Sequence, residues 1–166
     1  MSRAFTKEDA PSEQLLIPPR APLPDGATNY VTPAGLTLLR EERASLASAR
    51  SDLMQQQDDA DRKRALAINA GQLAALDERI GSARVVTYDP LPSTVRFGAE
   101  VTLADESGTE RVIVIVGADE AALDERAVAF FSPIARAVMG SEEDDEVSFV
   151  SPRGEELLTV VSVRYP

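Results

Sequence analysis

The sequence predicts an α+β protein: an N-terminal antiparallel helical hairpin of coiled-coil type, followed by a small β-rich domain with one short helix. Three observations carry this. Two stretches in the first half repeat apolar positions at alternating spacings of three and four. After Arg84 that rhythm gives way to short β-branched runs, with Pro90 and Pro92 at the joint. Charge divides at the same place, since the segment up to Arg84 is nearly neutral and almost the whole net charge of −11 lies beyond it.

Residues 1–29 contain Pro11, Pro18, Pro19, Pro22 and Pro24, with Leu15, Leu16 and Ile17 as the only short apolar cluster to bury. So little apolar surface does not offset the entropy of ordering, and the segment reads as a flexible, Pro-rich disordered tail. The other use of the apolar triplet is docking on a partner or on the body.

The hairpin spans residues 30–86. Thr32 before Pro33 is a helix start, because a hydroxyl caps an exposed N–H and proline is pre-set for the first helical position. Leu36, Leu39, Arg43, Leu46, Arg50 and Leu53 form one seam, and Leu66, Asn69, Leu73, Leu76, Ile80 and Ala83 form the other. Both fade at the polar stretch 55–64, so the chain reverses near residues 58–61. Each arm then has about 23 residues and measures on the order of 35 Å. The competing reading is one long helix that pairs with another chain.

A linker, residues 87–94, leads into a domain at 95–166. Five strands are expected, at 95–104, 112–116, 127–131, 146–150 and 157–165. Ser107 and Gly108 turn the first hairpin, and a short helix over 133–139 is capped by Ser132 and ended at Gly140.

Composition removes several function classes. With neither cysteine nor histidine, the chain has no disulfide, no zinc site of the usual kind and no triad that needs either residue. It lacks a run of 18 apolar residues and an apolar signal segment, which reads as cytoplasmic with no membrane association. From Val85 onward six bases face sixteen acids. Such a module does not hold a phosphate backbone by counterion release, and a basic protein surface is its natural partner.

Certain strings resemble the bacterial GreA/GreB family of transcription elongation factors, including its shorter relative Rnk. They are Val95, Arg96, Phe97, Gly98, Ala99; then Ile115 through Ala121, which contains a G-x-D-E turn; then Ser132, Pro133, Ile134, Ala135, Arg136, Ala137, Val138, Met139, Gly140. The last looks like the family's S-P-[LM]-A-R-A-L-[LI]-G signature. Asn29 through Gly35 resembles the family's approach to its hairpin, and Val161 through Tyr165 its last strand.

The resemblance implies an FKBP-like C-terminal domain docked at the rim of the RNA polymerase secondary channel, with the hairpin projecting inward. Docking would fall to Ser132, Pro133, Ile134 and Arg136, with Asp119 and Glu120 of the preceding turn. It also implies an accessory factor rather than an enzyme, without a cofactor of its own, meeting nucleic acid only through the transcription complex, and a monomer. Cleavage-competent members use two acids at the tip to help hold Mg²⁺ and water in the polymerase active site. Here the acids in that region are Asp58, Asp59 and Asp61, whose structural reading is a solvated turn beside Arg62, Lys63 and Arg64.

Two departures bear on that role. The family's tip string D-L-x-E-N-A-[ED]-Y begins at Asp52 and Leu53 but does not continue through Met54, Gln55, Gln56 and Gln57. The hairpin is also shorter than usual by roughly two to three turns per arm, which ends it about 12 to 16 Å short. Cleavage stimulation and simple occupancy of the channel therefore compete, and length favours occupancy. A reading of another class, peptidyl-prolyl isomerase, follows from the FKBP-like domain alone. Against it, there is no Trp and only five Phe and three Tyr to line an apolar pocket.

Overall fold

The computed structural model describes residues 16–166. Helix α1 (Pro33–Gln55) begins where the Thr32 hydroxyl accepts the Gly35 N–H at 2.9 Å, with Pro33 in the first turn. Helix α2 (Ala60–Ser82) begins where the Asp59 carboxylate accepts the Arg62 N–H at 2.8 Å. Each has 23 residues, so the arms are about 35 Å long. The break at residues 56–59 rules out the single long helix. It lies two residues before the expected reversal, because Asp59 serves as a cap and Asp61 is already inside the first turn of α2.

The two seams meet, most tightly at the base. Leu39 and Leu76 are buried there with Val31, and Leu36, Leu46, Ile80 and Ala83 pack around them. Two of the three polar seam positions find a partner across the arms. Arg43 donates to Asp77 at 2.5 Å, and buried Asn69 donates to the Leu46 carbonyl at 2.9 Å.

A parallel pair that the sequence reading lacked closes the base, β1 (Tyr30–Val31) against β2 (Arg84–Val85). Asn29 locks it: its side chain donates to the Arg79 carbonyl at 2.8 Å and to Ser82 Oγ at 3.1 Å, and its carbonyl accepts the Arg84 N–H at 2.8 Å. The expectation of a flexible tail up to residue 29 is thus corrected for its described part. Asn29 is buried, Ile17 packs on Gly71 of α2, and Arg20 is bound to both modules. Proline composition misled here, because prolines that keep a chain from folding alone also lower the entropy it loses on packing against a body. Residues 1–15 lie outside the described residues.

The body is a five-stranded sheet in the order β5, β4, β3, β7, β6. Its strands are β3 (Glu100–Asp105), β4 (Glu110–Val116), β5 (Ala127–Ala129), β6 (Glu146–Ser151) and β7 (Gly154–Arg164), with helix α3 (Pro133–Val138) between β5 and β6. Neighbours pair antiparallel except β4 with β5. Val101 and Leu103, Ile113 and Ile115, and Leu158 and Val160 supply one buried face, and Ala135 and Val138 of α3 close over it.

Most expected strand boundaries shift, and two of the shifts have a visible local cause. The run 95–99 is not strand but a turn, with Gly98 at φ +83° and the Ala99 N–H bonded back to the Arg96 carbonyl at 3.1 Å. Its alternation is real as burial, since Val95, Phe97 and Ala99 all face inward. Strand β5 stops at Ala129 rather than 131, because the Ser132 N–H turns back to the Ala129 carbonyl at 2.8 Å to enter α3.

Candidate functional site

Helix α3 presents one face outward. Ser132 Oγ accepts the Ala135 N–H at 3.4 Å, and Pro133 stands at the first turn. Ala135 and Val138 are buried, and Ile134 packs partly against the same core. Pro133, Arg136 and Met139 are exposed, and Arg136 makes no ion pair among the described residues. Of the four residues expected to dock here, Pro133 and Arg136 can therefore meet a partner directly. Ser132 and Ile134 hold them in place.

Asp119 and Glu120 do something else. The Glu120 carboxylate accepts the N–H groups of Thr32 and Gly117, each at 3.2 Å, and the Thr32 hydroxyl. The pocket exists because two residues lack side chains. A Cβ on Gly35 would lie 2.2 Å from the Glu120 carboxyl carbon, and one on Gly117 would lie 2.6 Å from the Tyr30 carbonyl oxygen. Asp119 accepts from Arg20 at 2.8 and 3.1 Å and pairs with Arg79 at 3.5 Å. Arg20 also makes a two-pronged pair with Glu42 at 2.8 and 3.0 Å. That hydrogen bond first, and Asp119 second, hold the Arg20 guanidinium above its usual value against the opposing effect of burial. These two acids join body to hairpin, and both carboxylates are spent there.

Aromatic rings extend the same junction. Tyr30 of β1 packs on Phe97 at 5.8 Å and on Phe130 at 5.6 Å, and Phe130 meets Phe131 edge-on at 5.2 Å. Phe131 directly precedes Ser132. The base of the hairpin and the start of α3 are thus tied through a chain of tilted and edge-on ring contacts.

At the far end the three tip acids have separate fates. Asp58 pairs with Arg62 at 3.2 Å and Lys63 at 3.6 Å, while Asp59 caps α2. Asp61 is exposed and has no partner among the described residues. No group of three His, Cys, Asp or Glu side chains among the described residues is placed to hold a metal ion.

Sequence reasoning missed Arg20, Arg79 and Gly71, and gave Gly35 and Gly117 no role beyond their place in the family strings. A signal was present for two of them, since glycines within helices are unfavourable and call for a packing reason. Arg20 had none, because its partners lie 22 and 99 positions away.

The architecture defines a class: an α+β protein in which a helical hairpin is clasped to a small curled-sheet body. Residues 90–165 match the family model described as transcription elongation factor, GreA/GreB, C-terminal. The chain is 34% identical over 164 residues to transcription elongation factor GreB of Pseudomonas aeruginosa, covering 90% of this chain and 95% of that protein. It is 40% identical over 97 residues to GreA of Hyphomonas neptunium, covering 57% of this chain and 62% of that one. Among solved structures, GreA factor homolog 1 of Thermus thermophilus matches at 23% identity and a TM-score of 0.39, over 83% of this chain and 99% of its own. The chain belongs to the GreA/GreB family of transcription elongation factors.

Proposed function

We propose that this protein binds bacterial RNA polymerase at the secondary channel through the outward face of α3 and regulates elongation by placing its hairpin in the channel, without efficient transcript cleavage. The observation that carries the docking half is the exposed pair Pro133 and Arg136, held on a capped helix start that ring contacts tie to the base of the hairpin. A rigid presentation of this kind lowers the ordering cost of binding. Arg136 suits an acidic or carbonyl-rich partner surface.

The tip supports occupancy over cleavage. Asp58 and Asp59 are engaged in building the turn, which leaves Asp61 as the tip carboxylate without a partner among the described residues. One carboxylate does not make a Mg²⁺ site, so no step through a metal is assigned to this chain. The ion that the resemblance implies belongs to the polymerase.

Two measurements test this reading. Pull-down of polymerase should be lost with Pro133→Gly and Arg136→Glu together, and unchanged binding would remove α3 as the docking face. Added to backtracked complexes with Mg²⁺, the protein should leave transcripts at full length. Shortened transcripts that disappear when Asp58, Asp59 and Asp61 are all changed to Ala would overturn occupancy in favour of cleavage.

A further inference from the structure

Residues 16–23 run from α2 to the junction between hairpin and body, and three independent features hold them. Ile17 occupies a notch that exists only because position 71 is glycine, where a Cβ would lie 2.1 Å from Ile17 Cδ1. The Ala21 carbonyl accepts from the Arg79 guanidinium of α2. Arg20 donates to Glu42 of α1 on one side and to Asp119 of the body on the other. Asp119 in turn pairs with Arg79 at 3.5 Å. One guanidinium thus engages both modules, and the side chains of Arg20, Arg79 and Asp119 are only 18, 11 and 13% exposed. A planar fork with five donors in fixed directions constrains angle as well as distance, which a single ammonium does not.

We infer that residues 16–23 are a strap, and that Arg20 is a positioning residue that sets the angle of the hairpin relative to the body. Without the strap, the modules meet through the Glu120 clasp and the ring contacts on the side of Thr32 and Tyr30, and through the single Asp119–Arg79 pair to α2 at 3.5 Å. That pair, whose facing atoms make no hydrogen bond, leaves rotation about the Thr32 side weakly opposed. Arg20 adds hydrogen-bonded contact to α1, where Glu42 lies seven residues beyond Gly35. A lever of about 35 Å turns a small change of angle at the base into a displacement of several ångströms at the tip. The inference rests on the proposed function only for the direction in which the tip must point.

The absence of cysteine makes the test direct. Spin labels on Gln57→Cys at the tip and Arg153→Cys in the body should give one narrow distance peak by pulsed dipolar spectroscopy of the free protein. Arg20→Ala should abolish that single peak. Pairs within the hairpin (Ser45→Cys with Gln57→Cys) and within the body (Glu106→Cys with Arg153→Cys) should keep their widths, which separates loss of angle from loss of fold. A second variant, Glu42→Gln with Asp119→Asn, should reproduce the loss while leaving Arg20 in place. An unchanged tip-to-body peak in both variants overturns the inference, as does broadening of the internal pairs to the same degree. Because no polymerase is present, failure here leaves the docking proposal standing, and failure of docking leaves the strap standing.

Discussion

Thr32 and Glu120, 88 positions apart, share a hydrogen-bond relay: the Thr32 hydroxyl donates to the Glu120 carboxylate and accepts the Gly35 N–H that caps α1. The carboxylate also takes the Thr32 and Gly117 N–H groups. The same atoms therefore start the helix and attach it to the body. Glu120→Ala leaves two backbone donors without their charged acceptor and should cost about 1.5–3 kcal/mol, read from the urea midpoint. Glu125→Ala, an exposed acid five residues on, should change stability by no more than about 0.5 kcal/mol.

Gly35→Ala sets helix propensity against this clasp. Alanine gains about 1 kcal/mol in a helix interior. Its Cβ would meet the Glu120 carboxyl group at 2.2 to 2.7 Å, so the carboxylate must leave the donors it serves. The clasp outweighs propensity, and the variant should be less stable than the parent by urea titration.

At Gly71 the balance falls differently, because the obstructing atom is the far end of the Ile17 side chain. In an Ile17→Ala background, Gly71→Ala should stabilise by about 1 kcal/mol. In the parent chain the gain should be smaller, since Ile17 must move. A double-mutant cycle reads the difference as the coupling of strap to α2, and equal gains in both backgrounds would mean that Ile17 does not dock there.

Asn69 sits in the seam with its amide nitrogen bonded to the Leu46 carbonyl, while its Oδ1 finds no partner among the described residues. An unsatisfied buried oxygen costs about 1–3 kcal/mol, against about 0.5–1.5 kcal/mol gained from one neutral hydrogen bond. Asn69→Leu should therefore raise the thermal midpoint. It should also weaken register, which a polar seam residue specifies, and association measured by light scattering would report that loss.

Asp105 supplies a pH dependence. The Ser107 hydroxyl first, then the Thr109 N–H, hold its carboxyl below the usual carboxylate range. A group whose folded value is depressed contributes stability above its unfolded value and loses it as pH falls through the folded one. The β3–β4 hairpin should thus hold down to about pH 4 and loosen below it. Carboxyl carbon shifts should titrate below those of a free aspartate, and Asp105→Asn should remove this part of the acid response.

The elements themselves were legible because each is set by local chemistry. Thr32 before Pro33, Ser132 before Pro133 and the alternating three and four of the leucines act within a few residues, and the arms came out at the expected 23 residues each. The strands were legible as burial, although residues 95–99 show that alternation marks an inward face and not a backbone conformation. The candidate site was legible only in part. Pro133 and Arg136 stand exposed where the signature string put them, whereas Asp119 and Glu120 turned inward.

By itself, the sequence determined the two arms, the short helix and most of the five-stranded sheet, and through its signature strings the family, but not the turn at 95–99 or the β1–β2 pair. Only the tertiary structure decided which acids are free. Asp58, Asp59 and Asp61 are alike as letters, yet one is paired, one caps and one faces solvent. It also decided that Arg20, in a proline-rich stretch, binds both modules at once. The physical reason is range: caps and seams act over one or two helical turns, while an ion pair spanning 99 positions exists only once the chain has folded around it.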